Sequence, residues 1–155
     1  ILKTLEYDES RIKEVYLAAP AYIVNGNPLK LLLKVFIPIR LYISTGKIKY
    51  VEKFLGALFT DREDFAVRFL AKVFRHYTMD FTPVPIISTS AAKSIKTPIT
   101  LFAAKNDLIF PGVKMIKRAS QIFPSLKKAM LFEDSKHVQS KAENLTIEAL
   151  IIKNH

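Results

Sequence analysis

Three short, mostly apolar runs separated by helical patterns constrain the fold of this chain more than any other feature. The runs cover residues 15–19, 99–107 and 129–133; the second ends in polar residues, and proline or polar residues bound the other two. The length and composition of the first run fit a strand that is buried on both faces. The resulting order is strand, helical insert, strand, helix, strand, helix. We therefore predict an α/β fold with parallel strands and right-handed crossovers.

The insert between the first two predicted strands reads as helical throughout. Residues 27–77 show no strand-like alternation, and apolar residues recur there at helical spacing. The pattern predicts one helix around 31–36 that Pro38 bends or ends, and a second helix over 47–59.

A third helix of the insert is predicted to begin at Thr60. The tetrad Thr60-Asp-Arg-Glu63 matches a capping box, in which the first and fourth side chains bind each other's backbone N–H. The aromatic residues Phe65, Phe69 and Tyr77 then follow on one face of that helix. Such a face usually belongs to the core, and the alternative is that it lines an acyl pocket.

Composition narrows the classes of function. The 155 residues are 50% hydrophobic and fit one domain with a sizeable core. The absence of cysteine excludes disulfides, thiolate zinc sites and cysteine nucleophiles, and agrees with a reducing, cytoplasmic location. The net charge of +10 comes from dispersed Lys and Arg, which favours solubility over nucleic-acid binding. We find no glycine-rich phosphate loop and no metal-ligand cluster, so we expect no cofactor and no metal.

Contact with a membrane surface is a weaker alternative. The segment 29–43 is amphipathic and basic, so interfacial lipid contact is conceivable, but a helix packed on its neighbours is the favoured interpretation. Its charges and length do not suit a membrane span.

Two residues stand where chemistry is expected in a parallel sheet. Asp107 closes the second predicted strand and His137 follows the third. Ligands of such sheets lie beyond the carboxyl ends of the strands, so both side chains are expected at one edge. A carboxylate beside an imidazole can fix the tautomer of a general base and stabilise its charged form. Alone, Asp107 could be a helix or turn cap, and His137 an ordinary loop histidine.

At these residues the sequence resembles the α/β-hydrolase family. The matching pieces are Val15-Tyr-Leu-Ala-Ala-Pro-Ala21, Thr97-Pro-Ile-Thr-Leu-Phe-Ala-Ala-Lys-Asn-Asp107 with Phe110-Pro-Gly112, and Ser135-Lys-His-Val138. The resemblance implies that Asp107 is the acid and His137 the base of a catalytic triad. It also implies a partial doubly wound parallel sheet of about three strands with an inserted helical lid. Residues 1–26 and 78–155 would form the C-terminal half of the core, and 27–77 the lid.

The chain departs from the family at the nucleophile. The family carries its serine in a Gly-x-Ser-x-Gly elbow, and none of the four glycines here is followed by serine two positions later. The elbow and the oxyanion loop precede the first matching strand in the family, and this chain starts at Ile1 without an initiator Met. We therefore expect a C-terminal part of a serine hydrolase, inactive alone, whose parent acts on a small apolar ester or acyl substrate.

Two alternatives stay open for the sequence. The chain could be a non-catalytic interaction module or an inactive fragment of the fold. Its first strand would have an unpaired edge, so we expect self-association or pairing with a missing N-terminal half.

Overall fold

The computed structural model describes residues 1–78, 80 and 82–153. The strands are β1 (Val15–Ala18), β2 (Ile99–Ala104) and β3 (Leu126–Phe132). The helices are α1 (Leu2–Tyr7), α2 (Pro28–Leu31), α3 (Ile37–Thr45), α4 (Lys49–Leu58), α5 (Asp64–His76), α6 (Thr89–Ser94), α7 (Gly112–Ile122) and α8 (Lys141–Lys153), with a π-helical turn, Leu32–Phe36, between α2 and α3. Residues 79, 81, 154 and 155 of the predicted segment 78–155 lie outside the described residues.

Within the described residues, the strands form one parallel sheet in the order β1-β2-β3. The central strand β2 is almost entirely apolar and buried, as a strand covered on both faces requires. The prediction of an α/β fold with about three parallel strands is confirmed, and the third strand begins three residues earlier than its apolar run because Leu126 already pairs with Ile99.

The buried side chains form two clusters. One surrounds the sheet and includes Leu101, Ile99 and Met115, which are among its most buried members. The other lies within the helical segment of residues 28–76 and includes Val51, Phe54 and Phe74. Two clusters of buried side chains do not by themselves define where the core ends and the helical segment begins. The division at residues 27 and 77 therefore stays a prediction.

Pro38 does not end the first helix of the helical segment. The π-helical turn Leu32–Phe36 directly precedes α3, and Ile37 donates its N–H to the carbonyl of Leu32, five residues back. A π turn moves the hydrogen-bond pattern by one residue just before the proline, which has no N–H to donate. The helical backbone therefore runs from Pro28 to Thr45.

The aromatic face of α5 does not belong to the core, so that prediction is wrong. Phe65 and Phe69 are 70% and 54% exposed, and Tyr77 after the helix is exposed too. The face that packs inward carries Val67, Ala71 and Phe74. Both faces are apolar at helical spacing, so periodicity alone could not select between them.

A carboxylate joins the α1–β1 loop to the start of β2. Glu9 accepts hydrogen bonds from the backbone N–H groups of Lys96 and Thr97, at 3.0 and 2.8 Å, and from the Thr97 hydroxyl at 2.7 Å. The bonds from Thr97 hold the pKa of the Glu9 carboxyl below its ordinary value of 4.5. Because the charged form is the one stabilised, Glu9 stabilises the fold above that pH, and the contribution is lost as the pH falls through the lowered pKa.

We expect Glu9→Gln to lower the urea midpoint of unfolding at pH 7, and to have a smaller effect at an acid pH that lies below the lowered pKa of Glu9. Glu148→Gln, on the exposed side of α8, is the matched control and should change the midpoint little at either pH. An equal loss for Glu9→Gln at both pH values would show that the charge of Glu9 contributes nothing.

Candidate active site

The carboxylate of Asp107 is fixed by the turn that follows β2. Its side chain has no exposed surface. One oxygen, Oδ1, accepts hydrogen bonds from the backbone N–H groups of Ile109 at 2.7 Å and Phe110 at 2.9 Å. A short acidic side chain commonly closes such a turn onto its own backbone. Here the two bonds leave the second oxygen, Oδ2, for a partner outside the turn.

The helix after this turn packs directly on the end of β2 because its first residue is glycine. A Cβ atom on Gly112 would lie 2.4 Å from the carbonyl oxygen of Ala104, closer than any real contact. The Pro-Gly pair noted in the sequence thus lets α7 start close to the strand, which keeps the Asp107 turn short.

The loops after β2 and β3 are tied to each other. Ala104 and Phe132, the last residues of the two strands, are opposite each other in the sheet. Asn106 donates its backbone N–H to Ser135 O at 2.9 Å and its side-chain amide to Glu133 O at 3.1 Å. Parallel strands end at the same edge, and these bonds bring the loop of Asp107 alongside the loop of His137.

His137 meets the free oxygen of Asp107. Its Nδ1 lies 2.9 Å from Asp107 Oδ2, and the ring is 27% exposed. Phe110 packs against the imidazole in an edge-to-face arrangement, with ring centroids 5.5 Å apart. An ionised carboxylate can only accept, so Nδ1 carries the proton of this hydrogen bond and Nε2 of the neutral ring keeps a lone pair. The two predicted site residues therefore form one hydrogen-bonded unit, whose imidazole can take up a proton at Nε2.

Sequence reasoning missed the part that Thr60 plays beside this pair. The predicted capping box does not form: α5 begins at Asp64, and no side chain caps it. The Thr60 hydroxyl instead donates to the carbonyl of Val138, 78 positions away. The local sequence does not predict such a distant partner, because a threonine hydroxyl can form a hydrogen bond with any nearby peptide group.

A basic cleft of about 470 Å³ adjoins Asp107. Its lining includes five lysines: Lys30, Lys34, Lys105, Lys114 and Lys136. Their charge favours anionic over cationic groups in this cleft. Most residues that line the cleft are polar, although Leu108 and Pro111 line it too, so the cleft does not identify an apolar substrate, which stays a prediction.

No three His, Asp or Glu side chains in residues 1–78, 80 and 82–153 come together as metal ligands would. Over the same residues, the helices are each too short or too polar to cross a bilayer.

Comparison with known proteins gives matches in structure only. No protein-family model matches the sequence, and no curated protein matches it. Among solved structures, naproxen esterase (carboxylesterase NP) from Bacillus subtilis superposes with a TM-score of 0.74 at 19% identity, over 99% of this chain and 55% of that chain. The meta-cleavage product hydrolase from Pseudomonas fluorescens IP01 gives 0.71 at 12% identity, over 98% and 58%. Carboxylesterase CesB from Bacillus subtilis gives 0.68 at 15% identity, over 96% and 54%.

These neighbours agree on the architecture. The TM-scores establish a shared fold. The sequence identities, all below one fifth, do not establish a shared substrate. They confirm the fold that the resemblance implied. The chain therefore has a partial α/β-hydrolase fold, spanning a little over half the length of the esterases and hydrolases that it resembles.

Proposed function

We propose that this chain supplies the acid and the base of a serine hydrolase that cleaves a small apolar ester or another acyl bond. His137 is the general base and Asp107 the residue that orients it. The nucleophilic serine and the oxyanion donors come from a segment outside these 155 residues. The proposal rests on one observation: His137 Nδ1 lies 2.9 Å from Oδ2 of Asp107. The other oxygen of this carboxylate, Oδ1, accepts hydrogen bonds from two backbone N–H groups, which fix its orientation.

The chemistry follows from the tautomer. As the serine oxygen bonds to the acyl carbon, His137 Nε2 takes the hydroxyl proton, and buried Asp107 stabilises the resulting imidazolium. The tetrahedral intermediate then expels the alcohol, which receives that proton. Water repeats the two steps, releases the acid and regenerates the serine. The oxyanion formed in each half needs hydrogen-bond donors that the proposal assigns to the other segment.

The outer edge of β1 is where that other segment would dock. In the described sheet β1 pairs with β2 alone, and a groove of about 690 Å³ runs beside it, lined among others by Leu2, Leu17 and Pro20. An apolar groove along an open strand edge suits the addition of a further strand and its helix.

The assay compares this chain with a longer protein that includes its upstream coding sequence. We expect the longer protein to hydrolyse a short-chain nitrophenyl ester and to react with a fluorophosphonate probe at one serine, and the 155-residue chain to do neither. Hydrolysis by the 155-residue chain would contradict an external nucleophile. A longer protein that neither turns over the ester nor reacts with the probe would contradict the hydrolase itself.

The alternative is a non-catalytic interaction module, and the open edge of β1 is the observation that favours it. A module predicts that the purified chain forms a defined oligomer by itself. Size-exclusion chromatography with light scattering measures this, and an oligomer without any esterase activity in the longer protein would favour the module.

A further inference from the structure

Thr60 binds the backbone on both sides of His137. Its Oγ1 accepts a hydrogen bond from the N–H of Lys136 at 3.0 Å and donates one to the carbonyl of Val138 at 2.7 Å. Its own backbone N–H donates to the same carbonyl at 3.0 Å. One hydroxyl thus connects the residue before the imidazole with the residue after it.

The neighbours of Thr60 extend this contact along the whole loop. Val138 donates its N–H to Leu58 O at 2.9 Å, and Phe59 and Val138 form a parallel β-bridge. Lys136 Nζ donates to Gly56 O at 2.8 Å. The end of α4 and the residues after it therefore hold the His137 loop from the side of the helical segment.

A second carboxylate holds the loop from the opposite direction. Ser135 is fully buried, and its hydroxyl donates to Glu143 Oε2 at 3.0 Å. The same oxygen accepts from the backbone N–H of Ser140 at 2.7 Å, and the N–H of Glu143 donates to Ser140 Oγ at 3.2 Å, which is the reciprocal pattern of a capping box. Glu143 thus fixes the loop at Ser135 and Ser140. The Thr60 hydroxyl binds the two residues directly before and after His137.

We infer that Thr60 is a positioning residue for His137, and that through it the placement of the base depends on the α4–α5 connection of the helical segment. This inference rests on the proposed function, in which His137 is the base. The hydroxyl fixes the two peptide groups that flank His137, and these decide whether Nδ1 stays within hydrogen-bond distance of Asp107. Valine has nearly the shape of threonine but can neither accept from Lys136 nor donate to Val138.

The test is made on the 155-residue chain labelled with ¹⁵N-histidine. In the wild type we expect the His137 ring to show a proton on Nδ1 in a hydrogen-bonded, slowly exchanging resonance. In Thr60→Val we expect that proton to exchange with water roughly tenfold faster, since both hydrogen bonds of the Thr60 hydroxyl are removed. The ring nitrogen shifts should move towards a mixture of tautomers. Thr60→Ser keeps the hydroxyl and should restore the wild-type spectrum.

Thr146→Val is the matched control. The Thr146 hydroxyl donates to the carbonyl of Ala142 on exposed α8, so its loss should leave the His137 signals unchanged. Circular dichroism shows whether each variant is folded, and Thr60→Ala replaces Thr60→Val if the valine variant is not.

Each outcome decides one claim. A folded Thr60→Val or Thr60→Ala with the wild-type ring spectrum would overturn the role of Thr60, and so would unfolding of both variants, because Thr60 would then support the fold as a whole. Absence of a hydrogen-bonded Nδ1 proton in the wild type would instead refute the Asp107–His137 pair and, with it, the proposed function.

Discussion

Replacing His137 by alanine is expected to lower the kcat/KM of the longer protein for a short-chain nitrophenyl ester by about four orders of magnitude or more. The variant would lack the base that takes the proton of the serine hydroxyl. It would also lack the acid that protonates the leaving alcohol. The fluorophosphonate reaction, which needs the same activated serine, should slow in parallel. His76→Ala is the control, because His76 ends α5 in an exposed position. Ester hydrolysis that survives His137→Ala would refute the assignment of the base.

Asp107→Asn tests the other member of the pair, because the hydrogen bonds of the turn fix the orientation of the asparagine amide. Ile109 and Phe110 donate to Oδ1 and require an acceptor there, so the asparagine NH₂ takes the place of Oδ2 and faces His137. Nδ1 must then accept, and the ring proton moves to Nε2, where the lone pair is needed. In Ser-His-Asp triads such a change costs about 10⁴ in kcat. The double variant should be no slower than His137→Ala, since the two residues act as one unit.

The second large effect is on stability, and it is expected at Leu101. This side chain is fully buried at the middle of β2, where its neighbours across the sheet are Leu17 and Ala129. Leu101→Ala removes apolar contact and leaves a cavity between strand and helix, which costs about 2–5 kcal/mol. Domains are typically stable by only about 5–15 kcal/mol, so the variant should lose a large part of its free energy of unfolding.

Urea unfolding followed by far-UV circular dichroism measures this loss. Leu145→Ala makes the same chemical change on α8 at a side chain that is 55% exposed, and we expect it to cost less than about 0.5 kcal/mol. Similar losses for Leu101→Ala and Leu145→Ala would mean that β2 is not the centre of the core.

The strands and the candidate pair were within reach of sequence reasoning. A short apolar run between helical patterns favours a strand, and parallel strands bring their carboxyl ends to one edge. Asp107 and His137 each follow such a run, so their proximity could be inferred without knowing the turn between them. The Pro111-Gly112 pair of the matching motif lies at the start of α7, where only glycine allows the helix to approach Ala104.

The helical segment was predicted correctly as helical, but its faces and caps were not. The periodicity of α5 allowed two apolar faces, and the packing of Val67 and Phe74 against α3 and α4 selected the one without Phe65 and Phe69. Thr60 satisfied the pattern of a capping box, yet its hydroxyl binds the loop of His137. In both cases the competing arrangements have similar local energies, and contacts with distant residues decide between them.

Sequence alone thus determined the α/β order, the parallel sheet and the two residues at its edge, because the length, composition and order of the apolar runs can be read along the chain, and strands joined through helices run parallel. Only the tertiary structure decided which oxygen of Asp107 faces the imidazole, and that Thr60 spans His137. Those contacts join residues about 30 and 76–78 positions apart, and a hydrogen bond at such separation depends on how the elements pack.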